Sequence, residues 1–344
     1  MLKKNAIMFL FVTMCCIANG QYKKFAFQKP KMGSPFNIVI YSTDSVPAAK
    51  AAKHAFRMID TLNEIYSDYL PTSELNRLCA TSGTGKWVKV SEPLFTILQK
   101  ARFASQVSLG SFDVTMSPVI RLWRTARKEK RLPAKDSLLE AMKKVGYKLV
   151  EIDTVQKAVR LQKTGIQLDL GGIAKGETAQ RVYSRLSGLG FPCSLVDAGG
   201  DIVAGEVPAG LPGWRVAINL PESEELMNQQ LLLRNKAVTT SGDLYQYLEL
   251  DGVRYSHIID PLTGRALTNT RNVTVISGDG TTADWLTKAC SILPVKKALK
   301  LVKRFPSTEV QIAVLENNIP VFYRSPGFTK YFQPIKNLEK LSSK

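Results

Sequence analysis

Leu168-Asp169-Leu170-Gly171-Gly172-Ile173-Ala174-Lys175-Gly176 sets two adjacent glycines between an aspartate and a lysine, just ahead of a helical pattern from Lys175 to Leu186. Such a segment is an extended run turning into a helix. Glycines let backbone amides come close to a phosphate, and the first turn of a helix adds partial positive charge. Taken alone, the same pattern also describes a tight connection. It is neither the Walker loop nor the dinucleotide fingerprint.

Outward from this turn, the chain mixes both periodicities. Asn37 to Tyr41 reads as a strand, and Val46 to Tyr66, Leu94 to Val107 and Asp136 to Val145 read as helices, the second opened by Ser91-Glu92-Pro93. Arg124 to Arg131 reads as a charged loop or helix end. Strand patterns follow at Leu149 to Asp153, Ala158 to Gln162, Ser194 to Val196, Trp214 to Asn219, Ala237 to Thr240, Tyr245 to Leu250 and Asn272 to Ile276. Thr282 to Leu293 and Val295 to Phe305 are helical. The order predicts an α/β fold of α+β character, with an irregular, partly antiparallel sheet and packed helices. No linker divides it, so 21–344 is expected to form one domain.

Two further clusters carry acids and hydroxyls. Val196-Asp197-Ala198-Gly199-Gly200-Asp201 reads as a hairpin turn whose glycines take positive φ, and Asp201 is assigned to that turn. Thr239-Thr240-Ser241-Gly242-Asp243 precedes Tyr255-Ser256-His257-Ile258-Ile259-Asp260-Pro261-Leu262-Thr263-Gly264-Arg265. His257 is one of two histidines in the chain, and its neighbours make it a candidate for acid–base work.

A basic start, Met1 to Lys4, an apolar run from Ala6 to Ile17 and the small residues Ala18-Asn19-Gly20 predict a secretory signal cut after Gly20. The expectation is an exported, periplasmic chain. Thr13-Met14-Cys15 is a poor lead-in for lipidation at Cys16, so a lipoprotein is the less favoured form. Removing the leader takes two lysines and no acids, so the net charge of +18 becomes +16. Lysines scattered without interleaved aromatics argue against nucleic acid and fit an anionic membrane surface. Cys79, Cys193 and Cys290 are odd in number and far apart, which excludes a disulfide framework.

In their order along the chain, these clusters resemble the ApbE family: D-x-G-G-I-A-K-G at 169–176, G-G-D at 199–201, T-S-G-D at 240–243 and Y-S-H-I-I-D-P-x-T-G at 255–264. Tyr66 to Leu78 and Gly110-Ser111-Phe112-Asp113-Val114-Thr115 extend the likeness, which covers roughly Met32 to Leu293. The resemblance implies a magnesium-dependent FAD:protein FMN transferase. Such an enzyme splits FAD, releases AMP and joins FMN to a threonine of a target, expected to belong to a membrane redox complex. Carried over by position, Met32, Tyr69, Ser111, Phe112, Asp113, Asp169, Lys175, Ser241 and Ile258 would hold FAD. His257, Asp284 and Lys175 would carry the chemistry.

The metal site departs from the pattern. The resemblance implies a hydroxyl four residues after Asp284, on the same helix face, and this chain has Lys288 there. Asp284 and the carbonyls of Gly172 and Thr287 would then hold Mg2+ with water and phosphate oxygens, and Lys288 would crowd the same position. Two alternatives follow. One is a flavin-binding protein with a decayed metal site; the other is an FAD pyrophosphatase in which water replaces the threonine.

Overall fold

The computed structural model describes residues 21–218, 230–242, 247–269, 271–316 and 319–333. The leader, Asn219, Asp243, Tyr245 and Gln246 lie outside the described residues. Strands β1 (Lys23–Lys31) and β2 (Ser34–Ser42) form a hairpin turned at Met32-Gly33. Along β2, Phe36, Ile38 and Ile40 are fully buried on one face, the period of two expected of a strand. Next, β3 (Val88–Lys89), β4 (Val150–Asp153) and β5 (Ala158–Leu161) make a small antiparallel sheet in the order β3-β5-β4. A second hairpin joins β6 (Ser194–Ala198) to β7 (Asp201–Ala204), with β8 (Trp214–Ala217) and β9 (Gln230–Leu233) pairing separately. Beyond β10 (Lys236–Gly242) comes the small hairpin β11 (Tyr247–Leu250) and β12 (Val253–Ser256). The last strands are β13 (Arg271–Ser277), β14 (Glu309–Glu316) and β15 (Ile319–Arg324).

Eight of these build the main sheet in the order β1-β2-β6-β7-β10-β13-β14-β15. Each of its pairings is antiparallel, so it is more regular than the sequence predicts. Alternate residues feed two cores. Ile38, Ile40, Val196, Val203, Val273 and Val275 face the helices, whereas Val39, Leu195, Ile202, Val238 and Ile276 face β8, β9 and Phe328. The sheet is therefore covered on both sides.

The helices are α1 (Ser45–Tyr66), α2 (Glu74–Cys79), α3 (Glu92–Val107), α4 (Ser117–Glu129), α5 (Lys135–Met142), α6 (Ala174–Gly188), α7 (Gly280–Ile292) and α8 (Val295–Val302). Ser91 caps α3 as its sequence suggests, by accepting from the Leu94 amide. Of the two readings of Arg124 to Arg131, charged loop or helix end, the structure shows the helix end: α4 stops where Lys130 turns left-handed at φ 50°. Among the described residues no helix is long and apolar enough to cross a membrane.

One contact fixes the geometry of the site. Helices α6 and α7 meet glycine to glycine: a Cβ on Gly176 would lie 2.3 Å from the Gly280 carbonyl oxygen and 2.6 Å from Asp284 Cβ. Only hydrogen fits there, and the missing side chain lets Asp284 reach the first turn of α6.

Candidate active site

No side chain of its own caps the start of α6. Asp284 of α7 does so instead, its Oδ2 accepting from the Gly176 amide at 3.0 Å. A carboxylate at a helix N-terminus meets both the unpaired amides and the positive end of the dipole. Asp284 is nonetheless fully buried. Burial, followed by the charge of Asp201, raises its pKa against the pull of Lys288, Lys175 and the Gly176 amide.

Lys288 lies one turn along α7, with its ammonium 3.0 Å from Asp284 Oδ1. Its hydrogen bond goes elsewhere, to Thr287 Oγ1 at 3.1 Å, so it faces Asp284 Oδ1 through charge and leaves that oxygen without a hydrogen bond. The Thr287 hydroxyl in turn donates to the Asp284 carbonyl at 2.7 Å. The stem of Lys288 covers Gly172, whose missing Cβ would stand 3.2 Å from both Lys288 Cγ and Phe112 Cε2. Gly172, Phe112, Asp284, Thr287 and Lys288 are thus one cluster.

Asp201 belongs with them, which corrects its assignment to the turn alone. Gly199 and Gly200 do form the turn, at φ 71° and 99°, but Asp201 opens β7 with its side chain turned inward. It is 2% exposed, and its Oδ2 lies 2.6 Å from Lys175 Nζ, while Oδ1 has no hydrogen bond. Burial works to lower the Lys175 pKa, yet the carboxylates of Asp201 and Asp284 outweigh it and hold the ammonium above its ordinary value.

Asp169, three residues before Gly172 by way of Leu170 and Gly171, anchors a second group. Its Oδ1 accepts from the Gly171 amide at 2.7 Å, and its Oδ2 pairs with Arg124 at 2.9 Å. Arg124 also holds Asp68 at 2.7 Å and stacks on Tyr69, 4.5 Å from the ring centroid. Burial, then the charge of Asp68, raises the Asp169 pKa. Tyr69 is 71% exposed and offers an aromatic face to solvent. The sequence reading missed Arg124, which lies half-buried on α4 between the buried Trp123 and Ala126.

The other predicted residues fall into three settings. Ser111 and Phe112 are buried next to Gly110, which Leu262 approaches, and Phe112 packs on Trp285. Asp113 caps the following short helix, accepting from Thr115 and from the Tyr147 amide, so its carboxylate is engaged locally. Met32 lies at the first hairpin, and Ser241 is buried on β10 opposite Val273. His257 is half-buried after β12, in backbone pinned on either side: Ser256 N donates to Leu267 O at 2.7 Å, and Ile258 N donates to Ser256 Oγ at 3.1 Å. Ile258 is buried beside it.

The residues can be tested against magnesium. The ion takes octahedral oxygen ligands at roughly 2.0–2.1 Å. Here the two side-chain oxygens best suited to it, Asp284 Oδ1 and Thr287 Oγ1, are both already faced by the Lys288 ammonium. Among the described residues no group of three His, Cys, Asp or Glu side chains converges to replace them. As arranged, the cluster does not fit the metal.

Known proteins share both sequence and architecture. The sequence pattern of the ApbE family matches residues 32–312. An FAD:protein FMN transferase of Treponema pallidum is 29% identical over 86% of this chain and 85% of its own length. One of Klebsiella pneumoniae is 28% identical over 88% and 92%. The flavin transferase ApbE of Vibrio cholerae superposes with a TM-score of 0.81 at 26% identity, covering 90% of this chain and all of its own. A histidine-to-glycine variant of it superposes equally well. The apo flavinyl transferase ApbE of Pseudomonas stutzeri gives 0.79 at 28% identity over 91% of this chain and 98% of its own. With a match that spans most of its length, and a mixed helix-and-sheet architecture held in common, this chain belongs to the ApbE family.

Proposed function

We propose that this chain, a transferase of the ApbE family, moves FMN from FAD to a threonine of another exported protein. The observation that carries the reading is the convergence of Lys175 and Lys288 beside the Gly171-Gly172 turn at the start of α6. Two ammonium groups, glycine backbone and a helix N-terminus suit a pyrophosphate. The names of the relatives point to the same substrate.

In this reaction the acceptor hydroxyl oxygen bonds to the FMN phosphorus, and the bond from that phosphorus to the bridging oxygen breaks. AMP leaves with the electron pair. His257 is the group suited to take the hydroxyl proton, because imidazole exchanges a proton near neutral pH. Lys175, held cationic by Asp201, orients the pyrophosphate and offsets its charge. Tyr69 offers its ring to the isoalloxazine. Magnesium is the cation that the family resemblance implies, but the cluster as arranged does not fit it.

The basic start, apolar run and small residues of 1–20 support export, and the net charge supports work near an anionic membrane carrying a redox target. The test is to incubate the purified chain with FAD and a candidate flavin-carrying acceptor. The expected result is AMP release with a covalent FMN mass on an acceptor threonine. AMP without label would make the chain a pyrophosphatase, and flavin binding with neither product would make it a flavin-binding protein.

A further inference from the structure

The charges at the start of α6 balance without any added ion. Asp201 and Asp284 are two carboxylates, and Lys175 and Lys288 are two ammonium groups set against them. The arrangement also has a direction. The carboxylate side chains are 3% and 0% exposed, while those of the lysines are 29% and 23% exposed. Negative charge is therefore sealed inside, and the cluster presents its positive ends outward. Lys288 reaches that surface across Gly172, where a side chain would have met it at 3.2 Å, and beside Phe112.

A divalent cation added to this cluster would stand beside an ammonium and compete with it for Asp284 Oδ1 and Thr287 Oγ1. A neutral residue in place of Lys288 would instead leave one net negative charge, which a divalent cation would neutralise. A single side chain thus decides whether the site has room and need for a metal.

We propose that Lys288 is a built-in cation that takes the place of a divalent metal here, so that a flavin dinucleotide binds through its pyrophosphate without magnesium. The inference rests on the FAD reading above. Its ammonium supplies the charge, Asp284 and Thr287 aim it, and the acid–base work of His257 is unaffected.

The test is FAD binding to the full chain, followed by flavin fluorescence in EDTA and in millimolar magnesium chloride, for the wild type and for Lys288→Thr. The wild type should bind FAD equally well in both, and calorimetry with magnesium chloride alone should show no uptake. Lys288→Thr should bind about tenfold more weakly in EDTA, recover in magnesium and take up the ion in calorimetry. Melting curves establish that the variant is folded, and the wild-type comparison needs no variant. Magnesium-dependent FAD binding by the wild type, or equal binding by both proteins in EDTA, overturns the inference while leaving the FAD reading intact. If neither protein binds FAD under either condition, the FAD reading fails and the inference falls with it.

Discussion

The carboxylate of Asp201 lies 2.6 Å from the ammonium of Lys175, an ion pair between the first residue of β7 and the first turn of α6. Asp201 is buried and Lys175 is less than a third exposed, so removing either partner strands a charge. Asp201→Asn should cost about 3 kcal/mol, softened by the nearby charge of Asp284. Urea denaturation reads the loss. The double variant Asp201→Asn/Lys175→Met should be less destabilised than the two single losses added together, and simple additivity would show that the pair is not coupled.

How this pair escaped the sequence reading shows where legibility ends. The G-G-D segment announces its turn through two glycines that reach positive φ, and the structure has that turn. Which way the next residue points depends on the register of β7, set in the hairpin with β6 and by pairing with β10, which lies some way further along the chain. Local periodicity was a good guide where one face alone is buried: α1 and α3 begin and end within about two residues of their predicted limits. It was a poor guide for β1, whose Lys-rich edge strand buries little. The family resemblance already brings Asp284, Lys288 and the Gly172 turn together. The four-residue spacing already places Lys288 beside Asp284 on α7, whereas the approach of Asp284 to the Gly176 amide depends on how closely α6 and α7 cross.

That crossing supplies a sharp test. In Gly176→Ala the new methyl would meet the Gly280 carbonyl at 2.3 Å and Asp284 Cβ at 2.6 Å, both of them atoms fixed on α7. The helices must part, at a cost of about 3 kcal/mol, and the Gly176 amide must draw away from Asp284. Gly188→Ala, at the far end of α6 with open space around it, should be neutral or slightly stabilising. Comparable melting temperatures for the two variants would contradict the close crossing.

Tyr69 presents a ring that is 71% exposed and backed on one side by Arg124. Tyr69→Ala should weaken FAD binding by about 1 kcal/mol or more, since a stacked aromatic contributes on that order. Tyr22, 54% exposed and just ahead of β1, serves as the control. Equal FAD affinity in Tyr69→Ala and Tyr22→Ala, by fluorescence titration, would remove Tyr69 from the site.

The thiols make stability fall at alkaline pH. Burial pushes Cys79 up to about 11 from an ordinary 9.0, against the Leu168 amide that donates to its sulfur. Between those values the unfolded chain gives up a proton that the folded chain keeps. The contribution is complete below pH 9 and is lost as pH rises through about 11, amounting to roughly 3 kcal/mol by the usual conversion. Denaturant midpoints near neutrality and between the two values should drop more in the wild type than in Cys79→Ala. Parallel losses would place the alkaline sensitivity elsewhere.

His257 separates binding from chemistry. Its backbone is held by Ser256 and by the pairing of Ile258 with Leu267, and Trp123 Nε1 ties the loop to α4 through the Gly264 carbonyl at 2.9 Å. A substitution at the histidine therefore need not disturb the loop that carries it. The pyrophosphate-facing ammonium groups lie on α6 and α7, so His257→Gln should leave FAD affinity near that of the wild type. A positioned general base contributes about 10²–10⁴-fold to rate, and transfer should fall by that order. The measurements are FAD titration, AMP release and acceptor mass on one preparation. Transfer lost with binding retained assigns His257 to proton transfer. Loss of both in proportion would instead mean that the imidazole helps to hold the nucleotide, and the acceptor hydroxyl would then have to lose its proton to solvent or to another group.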